Sequence, residues 1–323
     1  MAVAALLACT VTPTIVTKTP IASLPIPSPT STPTTIPTET PSPPTPTATP
    51  SPLAVVVELK PPRVKQGHTL FVEARTDRPV KLDAALDDRP LTFVEDEGRY
   101  WALAGFTAWS EVGPHTLSLA ATDLMGNRTQ VTVTVEVKAA DFLLERVYLP
   151  SDRVALLDPE VVMAEVRRLA PIFEGFTPER LWKGLFTKPT QGEISSPFGT
   201  RRSYNGQPPQ SHHGGVDFRA PEGTAVVAAN SGQVVLAEDL QVRGKSVILD
   251  HGLGVYSCYC HLSEIAVQLE QWVDRGELIG RIGQTGLATA PHLHWEVRVG
   301  EVNVDPLEWT RKAWPGTVPP PPH

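Results

Sequence analysis

A mainly β chain is predicted: a Pro/Thr-rich stalk, a β-sandwich, a short helical connector and a C-terminal antiparallel β-sheet domain. Three observations carry that expectation. In residues 53–138 the runs VVVEL, TLFVEAR, VKLDAAL, RYWALAG, HTLSLAAT and VTVTVEV alternate apolar with polar side chains. Period-two alternation, broken roughly every ten residues by Pro, Gly and Asp, is the pattern of antiparallel strands with one buried face. Residues 139–190 then carry helical signals, and residues 191–312 return to strands set between glycine-rich turns.

The first nine residues, MAVAALLAC, end in Leu6, Leu7, Ala8 and Cys9 and resemble the lipobox of bacterial lipoprotein signal peptides. That resemblance implies a lipid anchor through Cys9. Residues 10–52 are almost wholly Thr, Pro, Ser and small apolar residues, and they hold many of the chain's 34 prolines. Such a segment buries too little apolar surface to offset its ordering entropy, and proline biases it towards polyproline II. A semi-rigid stalk follows from that composition.

Within residues 53–138, the stretch GPHTLSLAATDLMGNRTQVTVTVEV resembles the last strands of bacterial immunoglobulin-like domains, with a DxxGN turn from Asp123 to Asn127. Gly126 and Asn127 both tolerate positive φ in such a turn. Trp101, set in an alternating run, reads as a core residue.

In the connector, Asp158-Pro159-Glu160 followed by VVMAEVRRLA reads as an N-cap, a proline at the first helical position and an amphipathic helix. A second short helix is expected at Thr177-Pro178-Glu179. Phe173, Leu181, Trp182 and Phe186 suggest that the connector packs onto its neighbour. Residues 313–323 form a Pro-rich tail.

Composition excludes some functions. The formal net charge is −7 with no basic block to neutralise a run of phosphates, so nucleic acid is not expected as a partner. No apolar run reaches the roughly 18 residues of a transmembrane helix. The three cysteines do not make a disulfide framework.

The chemistry lies in three motifs: SHHGGVDF, YSCYCHLS and PHLHWEVR. In HLHWEVR, strand alternation turns His292 and His294 to one face, a preformed imidazole pair. In HHGGVDF, His213 and Asp217 stand four apart, and Gly214 and Gly215 let the backbone bend so that both converge. Two nitrogens and a carboxylate oxygen, with a fourth position for water, are what a catalytic zinc ion uses. Alternation along YSCYCHLS turns Cys258 and Cys260 away from His261 and the cleft, as two buried free thiols. His212, beside His213, is the rival ligand. His251 in LDHGLG reads as structural, and Arg201 and Arg202 as part of a solvated loop.

From SSPFGTRR through HGGVDFRAPEGTAV, GQV at Gly232, YCHLS at Tyr259 and PHLHWEVR, the chain resembles the M23 family of metallopeptidases, the lysostaphin-like or LytM-type endopeptidases. The resemblance implies one zinc ion per domain bound by His213, Asp217 and His294, with His261 and His292 as the catalytic pair. His292 is favoured as base and His261 as stabiliser of the tetrahedral intermediate. It further implies hydrolysis of peptidoglycan cross-links by a monomer outside the cytoplasm, on the cell envelope. The alternative within the family is a non-catalytic regulator that activates a cell-wall amidase. Retention of all five residues favours the enzyme.

Overall fold

The computed structural model describes residues 51–209 and 211–314. Cys9, the stalk up to Pro50 and the tail from residue 315 lie outside the described residues.

The alternating runs of the N-terminal part form β1 (Val55–Lys60), β2 (Arg63–Lys65), β3 (Thr69–Thr76), β4 (Val80–Leu86), β5 (Arg89–Pro90), β6 (Val94–Asp96), β7 (Arg99–Gly105), β8 (Gly113–Asp123) and β9 (Arg128–Lys138). They make two sheets, β1-β3-β7-β6 and β2-β9-β8-β4-β5. Leu70, Val72 and Ala104 of the first share a core with Leu86, Leu117, Val135 and Val137 of the second. The β8–β9 turn is held by Asp123, whose Oδ1 accepts the N–H groups of Met125 and Asn127 at 2.9 Å each. Of the two turn residues that tolerate positive φ, Gly126 adopts it, at 84°. Asn127 contributes through its side chain, donating from Nδ2 to Asp123 Oδ2.

Strands β3 and β7 have a second buried face. Phe71, Trp101 and Leu103 alternate with the sandwich core positions and join one apolar cluster with Val299, Val302 and Val304 from the far end of the chain. Trp101 is a core residue as expected, 3% exposed, but its core is shared between the two parts of the molecule.

The connector is less helical than expected. It begins with a strand, β10 (Leu144–Val147), followed by α1 (Ser151–Val154), a 3₁₀ turn at Ala155–Leu157 and α2 (Pro159–Glu174). Asp158 caps α2 as its sequence suggests, accepting from the Glu160 N–H at 2.8 Å. No helix forms at Thr177-Pro178-Glu179, because that segment bonds to the turn around His251. Thr177 Oγ1 donates to Asp250, the Thr177 carbonyl accepts from Leu253, and Leu181 N–H donates to the His251 carbonyl.

The C-terminal part comprises β11 (Glu193–Ser196), β12 (Arg201–Tyr204), β13 (Ser211–His212), β14 (Val216–Arg219), β15 (Ala225–Val227), β16 (Gly232–Leu240), β17 (Gly244–Asp250), β18 (Val255–Ile265), β19 (Trp272–Val273), β20 (Leu278–Ile282), β21 (His292–Val299), β22 (Val302–Val304) and α3 (Pro306–Trp309). Its main sheet runs β11-β14-β21-β18-β17-β16-β19, with antiparallel pairing throughout. One face carries Phe218, Tyr259, Leu293, Trp295 and Val297 into the large core. The other carries the polar residues of the motifs and is partly covered by α2, whose Leu169 and Phe173 pack on it. Among the described residues no helix is long and apolar enough to cross a membrane.

A candidate metal centre

Strands β14 and β21 pair so that Asp217 lies directly opposite His294. Opposite residues of an antiparallel pair share a face, which brings their side chains together. His213, just before β14, completes the group. Its approach depends on Gly215, where a Cβ would stand 2.3 Å from the Trp295 carbonyl oxygen and 3.0 Å from the His294 ring. The glycine therefore permits close packing rather than a flexible bend.

His213 Nε2, Asp217 Oδ1 and His294 Nδ1 are mutually 2.7–2.9 Å apart. The opposite ring nitrogens decide what these atoms can be. His213 Nδ1 lies 3.0 Å from the Pro197 carbonyl, which can only accept, so Nδ1 carries the hydrogen. His294 Nε2 lies 3.1 Å from Glu296 Oε1 and donates to that carboxylate in the same way. With both rings neutral, three lone pairs converge on one point, and a proton on His294 Nδ1 or a metal ion in its place relieves their repulsion. Hydrogen bonds from the outer ring nitrogen to a carbonyl and a carboxylate are the usual support of metal-binding histidines. The donor set fits a metal ion.

The other two motif histidines face the same cleft, a cavity of about 370 Å³ that all five residues line. The rings of His261 and His292 have centroids 4.8 Å apart. His292 donates from Nδ1 to the Ala290 carbonyl at 2.8 Å, and His261 from Nδ1 to the Thr285 carbonyl at 2.8 Å. Each neutral ring therefore keeps an Nε2 lone pair. His292 Nε2 is 3.9 Å from Asp217 Oδ1.

His261 reaches the cleft through a defect in β18. The register against β17 slips between Tyr259 and Leu262, leaving Cys260 and His261 opposite one residue, and His261 takes φ of 61°. This β-bulge corrects the expected orientation of the cysteines. Cys258 is opposite Glu296 and Cys260 opposite His294, so both lie on the cleft's face of the sheet. They are buried free thiols, as expected, but are packed with Leu169 and Phe173 beneath α2. Burial, chiefly, raises the Cys260 thiol to about 12.

Arg202 also departs from expectation. It sits on β12 rather than in a solvated loop, and donates from Nη2 to Asp217 Oδ2 at 2.6 Å and from Nε to Glu145 of β10 at 3.3 Å. Asp217 thus offers one oxygen to the histidine pair and the other to Arg202. The connector also walls the cleft: Val147, Leu149, Val162 and Val166 line it, and Arg153 donates to the Gly286 carbonyl on the opposite rim. His212 lies outside the metal group, its ring edge-on to Trp109 and Phe142. His251 is buried and bonded to Ser231 and Ser257.

Burial disfavours charge on all four cleft imidazoles, and it holds His213, His261 and His292 below the ordinary histidine value. At His294 burial acts the same way, but hydrogen bonds to Asp217 and Glu296 outweigh it and raise the group to about 9. Burial would raise Asp217, yet His213 and His294 keep it well below the usual carboxylate range.

The sequence model described as Peptidase family M23 matches residues 211–306. A solved peptidase M23 structure from Pseudomonas aeruginosa shares 30% identity, covering 81% of this chain and 95% of its own, with a TM-score of 0.53. The chain belongs to peptidase family M23. Among curated relatives, the peptidoglycan DD-endopeptidase ShyA of Vibrio cholerae is 41% identical over 106 residues, 33% of this chain and 25% of its own length. The DD-carboxypeptidase/endopeptidase Mpg of Neisseria meningitidis is 40% identical over 118 residues, 35% of this chain and 26% of its own length. The chain therefore spans about a quarter of these curated relatives.

Proposed function

We propose that this M23 chain is a zinc-dependent endopeptidase that hydrolyses peptide cross-links of bacterial peptidoglycan. The observation that carries the reading is the convergence of three potential ligand atoms, from His213, Asp217 and His294, beside two further histidines that line the same cleft. Two relatives named for DD-endopeptidase or carboxypeptidase/endopeptidase activity support that substrate class.

His213, Asp217 and His294 would hold the zinc, which would supply Lewis acidity towards a carbonyl and a water in the cleft. His292 takes the water proton at Nε2 and returns it to the leaving amine. Its Nε2 lies 3.9 Å from Asp217 Oδ1, at the edge of the proposed zinc site and within reach of a water there. His261, more deeply buried, bonds through Nδ1 to Thr285 and presents an acceptor while neutral. To stabilise the oxyanion, as the sequence-based assignment has it, His261 must first gain a proton at Nε2. Arg202 holds Asp217 in place, and the connector narrows access to water.

The same reading sets the chain on the cell envelope as a monomer, with Cys9 lipidated, residues 10–52 as stalk and the sandwich as an immunoglobulin-like spacer or wall-binding module. The deciding experiment measures zinc content and release of new amino groups from purified wall, for wild type and Asp217→Ala. Hydrolysis that persists at the full rate in zinc-free Asp217→Ala protein ends the reading.

A further inference from the structure

Glu165 lies on α2, outside the segment matched by the family. The side chain is 5% exposed on a helix face that otherwise buries Leu169 and Phe173. A carboxylate in such a place loses its hydration and is unfavourable unless it is paired and hydrogen-bonded. Glu165 is both. Its Oε2 accepts the Val242 N–H at 2.7 Å, and its Oε1 accepts the Arg243 N–H at 3.2 Å and the Arg243 guanidinium at 2.9 Å.

Arg243 links this carboxylate to the cleft by two routes. Its guanidinium reaches Glu296 Oε1 at 3.5 Å, the same oxygen that accepts from His294 Nε2. Its carbonyl accepts the His261 N–H at 2.9 Å, at the bulge where His261 adopts positive φ. A left-handed conformation at a residue other than glycine persists only where its surroundings over-determine it. One short loop therefore supports the outer nitrogen of a metal-group histidine and the backbone of a second cleft histidine, and Glu165 fixes that loop.

We propose that Glu165 is a positioning residue for the catalytic centre, acting through Arg243 on His294 and His261, so that helix α2 is a working part of the active site. The inference rests on the zinc-peptidase reading. The test uses the full chain and compares wild type, Glu165→Gln, Arg243→Ala and the double variant. The readouts are the zinc dissociation constant by chelator competition, kcat and KM on solubilised peptidoglycan fragments, and the melting temperature of the zinc-free protein.

Glu165→Gln is expected to weaken zinc binding or kcat by about tenfold to a hundredfold, with KM little changed. The double variant should be no worse than Arg243→Ala alone, since both remove one linkage. Should the Gln variant fail to fold, Glu165→Met, which fills the site without a charge, is held to the same outcome. Zinc affinity and kcat at wild-type levels in a folded Glu165 variant, or additive losses in the double variant, overturn the inference and leave the peptidase reading intact. A wild-type chain that neither binds zinc nor cleaves overturns both.

Discussion

At His294 the two ring nitrogens have separate duties: Nε2–H is given to Glu296, and Nδ1 meets Asp217 and His213. Replacement by alanine removes one of the three converging ligand atoms of the candidate site. His294→Ala is accordingly expected to lose stoichiometric zinc and hydrolysis together, as read by metal analysis of the purified protein. His292 shares the strand face but stays outside the triad, with Nδ1 bound to the Ala290 carbonyl. His292→Ala should keep its zinc while turnover falls about a hundredfold to ten-thousandfold, the usual contribution of a general base. Loss of zinc from a folded His292→Ala protein would exchange the two assignments. These histidines were legible in the sequence because HxxxD and HxH are local spacings that strand geometry interprets directly. Arg202, Arg243 and Glu165 were not, because each acquires its role from a partner distant in sequence, whereas Glu296 stands two residues from His294 on the same strand face and was missed although the same spacing reveals it.

The bulge in β18 marks where periodicity alone fails. Strict alternation sends Cys258 and Cys260 to the face opposite His261, whereas one extra residue in the strand puts all three on the same side. A slip of this kind leaves no compositional trace in YSCYCHLS. Since the cysteines pack beneath α2 and lie outside the metal group, replacing both by alanine should leave zinc content unchanged while costing about 1 kcal/mol each in packing. Zinc loss in a folded double variant would count against this placement. The neighbouring turn between β17 and β18 supplies a pH-dependent element. His251 is fully enclosed, and burial holds it down to about 4, well under the roughly 6.5 of an unfolded chain. Its depressed value means that stability is complete above pH 6.5 and is lost as pH falls through about 4. A difference of that size corresponds to about 3 kcal/mol. Melting curves taken from pH 7 down to pH 4 should steepen their decline below pH 6.5 in the wild type, and less so in His251→Gln. Parallel declines would assign the acid sensitivity to other groups.

Over the whole molecule, the period-two and 3.6-residue patterns were enough to read a mainly β chain with helix α2 starting at Pro159. They could not show that one apolar core runs between the sandwich and the sheet of the candidate metal centre. The one trace of it is RYWALAG, apolar on both faces from Tyr100 to Ala104 as a doubly covered strand should be, but the residues that cover its second face lie about 200 positions away in the chain. The shared core implies joint unfolding. Trp101→Ala should cost about 3–5 kcal/mol and shift a single calorimetric transition. Two transitions, with only the earlier one moving, would show that the two parts melt independently.

The same junction governs how the molecule can be divided. Val302 is 8% exposed and Val304 and Trp309 are fully covered, while Gly105 of β7 comes so near that an added Cβ would lie 2.8 Å from Val302. Polar bonds reinforce the seam, with Thr69 N–H donating to Glu308 at 2.9 Å and Trp309 Nε1 to Thr69 Oγ1 at 3.3 Å. Cutting the chain after residue 138 would lay these apolar side chains open to water as one contiguous patch. Such a fragment would self-associate, and its weak turnover would report colloidal instability instead of a missing catalytic group. For this M23 chain the sandwich thus doubles as the solubilising cover of the peptidase.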